Sequence, residues 1–205
     1  MNVKLERFLF GLILAPLAPL AGLLCAWWAS YALLPVKWIP LGALAGLLVG
    51  VLADVFLLLK LVDRARQLKT IFWLAVFLFY TVGVFGFFMG VPVFNALLAI
   101  PAGFVAAAKI THNKPEPAAV GRAAVQTAGF TTGVLFLVCA ASASIALVSS
   151  STPSDLQGML GLGFEVTQAM IIGLILVGGL GLLAVNWVLT LISMKVSYRF
   201  LRREA

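Results

Sequence analysis

The chain is poor in almost everything that catalysis uses. It has one histidine, two cysteines and seven acidic residues among 205. The histidine, His112, stands alone in "KITHNKPEP" and does not by itself make a metal site or an acid–base pair. Cys25 and Cys139 lie in apolar runs with neither a CxxC partner nor metal-ligand spacing, so they read as small core residues. There is no HExxH, no GxSxG and no P-loop, and no apolar segment holds paired carboxylates. These absences argue against an enzyme, against a metal centre and against a bound cofactor. No lysine or arginine sits inside an apolar segment either, so a strongly anionic substrate would meet no counter-charge.

Charge is scarce overall. Charged residues make up 10% of the chain and hydrophobic ones 63%, against about 25% and 45–50% in a soluble domain. A core of this size cannot hide that much apolar surface, so the solvent for most of it is a lipid bilayer. The net charge of +7 does not point to nucleic acid, because in such a chain the position of the charges matters more than their sum. The opening stretch imitates a signal peptide, but the apolar run from Phe8 to Leu34 is longer than an h-region of about 7–15 residues. It is expected to remain as an uncleaved first span.

Charges and turn residues divide the chain into six apolar segments, at 8–34, 38–59, 71–89, 92–109, 123–148 and 166–194. The expected architecture is a single all-α membrane domain of six transmembrane helices over 1–205. Residues 71–110 form one apolar stretch of forty, about twice what a bilayer accommodates as a helix. "MGVPVFN" (Met89 to Asn95) divides it, with Gly90 and Pro92 forming a turn.

The basic residues test this division. Thirteen of the fourteen fall before span one, between spans two and three, between four and five, or after six; Lys37 is alone on the other side. Inner loops carry the Lys/Arg excess, so both termini are expected in the cytoplasm of a cell with a bacterial-type plasma membrane. Trp27, Trp28, Tyr31 and Trp38 cluster at the outer end of span one, as interfacial aromatics do. In the long outer loop "SSSTPSDLQGMLGLGFE", Thr152 is expected to cap a short surface helix, with Pro153 at its first position.

Small residues recur at helical spacing. Gly42, Gly46 and Gly50 are one turn apart, and Asp54 continues the same line. Such a stripe lets another backbone come close. Asn95, Ala99, Gly103 and Ala107 repeat the device in span four. Glycines at 83, 86 and 90, at 129 and 133, and at 178 and 181 offer similar contacts in spans three, five and six. Pro16 and Pro19 fall within span one and Pro101 within span four, where each is expected to interrupt its helix. If the chain is built of two three-helix halves, spans one and four correspond, and paired interruptions mark a site near the midplane. "LAPLAG" and "LAIPAG" carry a faint likeness between them.

The candidate ligand- or ion-binding residues follow from these patterns. Asp54 is a carboxylate within an apolar span, a position that costs at least about 2.5–3.5 kcal/mol and calls for a cavity or a partner. That partner would be an Asn or Thr of a neighbouring helix, or an Arg of the 60–69 loop. Asn95 and Asn186 place amides on helix-packing faces. Glu165 and Gln168, at i and i+3, lie at the outer mouth of span six, either to meet a substrate or simply as a solvated helix start.

The run "GALAGLLVGVLAD" (Gly42 to Asp54) resembles stretches in substrate-binding components of energy-coupling-factor vitamin transporters, which are also six-span proteins of about this length. That resemblance implies a substrate-binding membrane subunit. A secure counterpart of that family's alanine-stepped docking motif is missing, which argues against coupling to an ATPase module. The function expected is a small transporter, or substrate-binding transport subunit, for a proton, a cation or a largely neutral molecule. It would work as a homo-oligomer or with other membrane or cytoplasmic subunits. The alternative is a non-catalytic structural subunit whose basic inner face touches anionic lipid.

Overall fold

The computed structural model describes residues 3–88, 90–112, 117–149, 151–161 and 163–202. Regular structure among the described residues is entirely helical. Eight α-helices follow one another: α1 Val3–Leu14, α2 Leu17–Leu33, α3 Ile39–Arg64, α4 Thr70–Phe87, α5 Ala99–His112, α6 Pro117–Val148, α7 Thr152–Leu160 and α8 Gln168–Arg202. Two 3-10 segments, Val36–Trp38 and Pro92–Leu98, precede α3 and α5. Together they make six stretches long and apolar enough to cross a membrane: Lys4–Leu33, Val36–Arg64, Thr70–Phe87, Pro92–Thr111, Ala118–Val148 and Gln168–Arg202. Their outer faces are dressed with exposed Leu, Val, Ile and Phe, as a lipid-facing surface requires.

The described residues form two compact units, residues 3–72 and 73–202. Two spans therefore group together and four group together, a division that does not match the two three-helix halves considered for spans one and four.

The first unit is an antiparallel hairpin of α1–α2 against α3. Its register can be read residue by residue. Ser30 meets Gly42, Gly22 and Ala26 meet Gly46, and Ala18 and Pro19 meet Gly50. Backbone lies directly on backbone here: a Cβ on Gly46 would collide with the Gly22 carbonyl, and one on Gly22 with the Gly46 carbonyl. Only glycine permits so close an approach. On the facing side Glu6, Phe10, Leu14 and Ser30 are buried, all on the one four-residue step that also contains Gly22. Span one is broken at Ala15–Pro16, where α1 ends and α2 begins.

The second unit packs α5, α6 and α8 around the 3-10 segment. Ala96 lies beside Asn186 and Ile100 beside Ser193, so the fourth and sixth spans run parallel. Thr131 pairs with Thr190 and Thr132 with Asn186, so α6 runs antiparallel to α8. These directions are those of alternating crossings. A turn through Gly90, whose φ of 83° suits glycine, leads from α4 into the segment. The Gly90 N–H closes onto the Phe85 carbonyl at 2.8 Å, and Phe88 stacks on Phe94 with ring centres 3.7 Å apart.

Several sequence expectations change. Pro101 is the third residue of α5, a first-turn position where no helical donor is missed. It therefore does not interrupt span four; the irregular stretch is Pro92–Leu98, upstream of it. Pro19 is likewise third in α2, so Pro16 alone marks the break in span one. The short helix α7 starts one residue early: Ser151, not Thr152, takes the N-cap position, and no side chain caps it. Ser151 also hydrogen-bonds through its hydroxyl to Asp155 at 2.7 Å. The glycines at 83, 86, 129, 133 and 181 have open space where a Cβ would project, and Gly178 meets only its own helix. They do not mediate packing among the described residues. Of "KITHNKPEP", residues 113–116 lie outside the described residues, as does the His112 side chain.

Candidate functional site

The second unit holds a buried polar cluster. Asn186, 1% exposed, donates through its amide to the Ala96 carbonyl at 3.3 Å and accepts at Oδ1 from the Thr132 hydroxyl at 3.1 Å. One turn on, Thr190 donates to the Asn186 carbonyl and shares a hydrogen bond of 2.9 Å with Thr131. One residue before Ala96, Asn95 donates through Nδ2 to the Thr81 carbonyl at 2.8 Å. Asn95 is 3% exposed, and its Oδ1 is buried without a donor. An orphaned acceptor in a dry interior costs about 1–3 kcal/mol. It is the one buried side-chain polar atom left unpaired among the described residues.

Local sequence explains why these groups meet. Asn186 and Thr190 share a face of α8 because they are four residues apart. The 3-10 geometry of Pro92–Leu98 turns Asn95 toward Thr81 on α4 while the adjacent Ala96 carbonyl reaches Asn186 on α8. Below the cluster Gly103 makes room for α8: a Cβ there would lie 2.8 Å from Ser193 Cβ. Ser193 uses that proximity to donate to the Ile100 carbonyl at 2.7 Å.

Asp54 belongs to the first unit. It is partly exposed and makes no hydrogen bond or ion pair with the described residues. The partners that sequence reasoning offered it are not used. Arg66 grips Glu6 through two nitrogens, and Arg7 reaches Asp63, with its Nε 2.9 Å from Oδ1. These two crossed pairs fasten the start of α1 to the end of α3. On the glycine line, Gly50 meets Ala18 and Pro19, and continuing the same step by one turn brings Asp54 to the level of the break after Leu14.

Of the residues singled out by sequence, Asn95 and Asn186 come together in one cluster. Glu165 and Gln168 are exposed at the start of α8, where the Thr167 hydroxyl caps Met170 N–H at 3.3 Å; no partner among the described residues holds either. Gly42, Gly46 and Gly50 lie in the first hairpin and Gly103 against α8. Sequence reasoning missed Thr81, Thr132 and Ser193, whose roles depend on tertiary register. It also missed Glu6 and Asp63, although acids among so many inner-side basic residues were a signal for ion pairs. No family model matches the chain, and neither a curated protein nor a solved structure matches it.

Proposed function

We propose that the chain is a multi-pass membrane protein that binds a neutral or cationic small molecule in its second unit, and moves it with further copies or partner subunits. The observation that carries this reading is the unpaired Asn95 Oδ1 in the buried cluster. Its depth supports it. Asn186 stands nine residues before Lys195 and Thr131 nine after Arg122, so each is about 13–14 Å from a basic rim. That is close to half of a hydrocarbon layer of about 30 Å. Irregular backbone at such depth is tolerated where it is enclosed by protein or lines a cavity. Asn95 Oδ1 can only accept, and the cluster has no charged side chain. The complementary ligand brings an N–H or O–H donor and no strong negative charge.

The location is a plasma membrane with the Lys/Arg-rich helix ends inside. The test is binding by the purified chain, read as thermal stabilisation by a panel of uncharged and cationic solutes. Asn95→Leu, which keeps the branched shape but removes the acceptor and the donor to Thr81, is expected to abolish the response while leaving the fold intact. An unchanged response in that variant would refute the site.

A second reading, an accessory subunit without a ligand, is favoured by how completely the other cluster atoms satisfy one another. It expects Asn95→Leu to be neutral or stabilising, with no solute bound by either form.

A further inference from the structure

The first unit carries a separate problem of charge balance, and the solute reading does not touch it. Asp54 lies in an apolar span on the contact line of α3, in register with the point where α1 stops and α2 starts. The neighbouring backbone is also short of donors. Ala15 N–H closes onto the Gly11 carbonyl and Leu20 N–H onto the Pro16 carbonyl. Pro16 and Pro19 have no N–H, so the donors an unbroken helix would supply to the Leu12 and Ala15 carbonyls do not exist. The C-terminal end of α1 adds its partial negative charge to this position. A carboxylate and a helix C-terminus thus share one level of the hairpin.

Among the described residues no basic side chain pairs with Asp54. α2 brings no charged side chain; α1 brings Lys4, Glu6 and Arg7, and α3 brings Lys60, Asp63 and Arg64. Arg7 is held by Asp63, and Arg66, just past α3, by Glu6. Lys60 is exposed, six residues beyond Asp54, which is about 9 Å along the helix. A carboxylate and a helix end at one level of an apolar span are stabilised by a positive charge bound there.

We infer that Asp54 and the break at Leu14–Pro16 form a site for one monovalent positive charge, carried by a proton or by a bare cation such as Na⁺. A proton on Asp54 makes its carboxyl a donor to a freed carbonyl. A cation uses the carboxylate and carbonyl oxygens as ligands, as unwound helix ends do in membrane proteins. The two crossed ion pairs, by holding α1 against α3, keep the two halves of the site at one level.

The experiment uses the full chain in lipid nanodiscs. Na⁺ replaces choline at constant ionic strength while thermal stability is followed, and the infrared band of a protonated carboxyl is recorded at neutral pH. A cation site raises Tm saturably, by about 5–10 °C at a hundredfold excess over Kd, and the rise disappears in Asp54→Asn. A proton site shows the protonated-carboxyl band in the wild type and loses it in Asp54→Asn. Should the asparagine variant not fold, Asp54→Glu makes the same comparison through a shifted Na⁺ midpoint or band position. The inference is overturned if the wild type shows neither signal, or if the signal survives unchanged in the variants. Neither readout involves the Asn95 cluster, so failure here leaves the solute reading standing, and the reverse is equally true.

Discussion

The two units solve the same problem, holding apolar helices together, by different means. The first removes side chains: Gly22, Gly46 and Gly50 let two backbones touch. The second keeps side chains and joins them by hydrogen bonds, through Asn186, Thr131, Thr132 and Thr190. Where lipid is as apolar as leucine, burial gives little drive for one helix to choose another. Close dispersion contact and interhelical hydrogen bonds are what remain, and each unit leans on one of them. The difference also separates their tolerance. A backbone contact fails with one added carbon, whereas a hydrogen-bonded network loses its members one at a time. In each unit a polar group within the packed spans stays outside the scheme, Asp54 in the first and Asn95 Oδ1 in the second, and these are the two proposed sites.

The sharpest way to break the comparison is to add a Cβ to each unit's glycines. Gly46→Ala forces the new carbon onto the Gly22 carbonyl and the Ala26 methyl. The first of these atoms is backbone, which cannot swing aside as a side chain does. A loss of about 1–3 kcal/mol is expected for alanine, and Gly46→Leu should leave no folded protein to purify. Gly129→Ala in α6 meets open space and should be neutral or stabilising by up to about 1 kcal/mol through helix propensity. Thermal unfolding of the purified variants checks both. Similar losses at the two positions would show that the open face of Gly129 is covered in the working protein, by lipid-excluded packing against another chain.

The glycine contrast also shows how far sequence reasoning reached. The positions of all six apolar helices follow from charge spacing and span length, because a bilayer imposes one length on every crossing. The stripe Gly42–Gly46–Gly50 was visible for a similar reason: its period is that of a helix. A period says that a face exists, not what lies against it. Gly129 and Gly133 repeat it equally well and meet nothing within the chain. Pro101 misled because proline interrupts a helix only from its interior, and where α5 begins was invisible beforehand. The Asn95–Thr81 and Asn186–Thr132 bonds depend on the register between spans, which no local pattern encodes. Asp54 was legible as an anomaly, since a lone carboxylate among apolar residues needs no alignment to notice. That Arg66 would turn to Glu6 and leave it unpaired was not.

A middle-sized effect is expected in the second unit. Asn186→Leu removes the acceptor of Thr132 and the donor to the Ala96 carbonyl together. Interhelical hydrogen bonds in membranes average about 0.6 kcal/mol and reach about 1.7, so the two should sum to about 1–2 kcal/mol. Thr190→Val, which loses the 2.9 Å bond to Thr131, should cost about half as much. A thermal melt of Asn186→Leu/Thr190→Val separates two outcomes. A loss close to the sum describes independent bonds. A smaller loss shows that the hydroxyls depend on Asn186, as a coupled network does.

The crossed ion pairs differ from each other, and the exposed one carries the smallest effect expected. Arg7 and Asp63 side chains are 59% and 49% exposed, whereas Arg66 and Glu6 are 35% and 11% exposed. Exposed pairs are worth about 0–1 kcal/mol because water and salt screen them. A carboxylate as sheltered as that of Glu6, met by two guanidinium nitrogens, is screened far less. Double-mutant cycles should therefore give a coupling of about 1–2 kcal/mol for Glu6 with Arg66 and under about 0.5 kcal/mol for Arg7 with Asp63, the latter vanishing in 0.5 M salt. Exchanging the charges, Glu6→Arg with Arg66→Glu, should recover part of the loss of either single reversal, since the geometry places the two groups face to face. If the exposed pair couples as strongly as the sheltered one, solvent does not reach it, and that end of the hairpin is covered by something other than water.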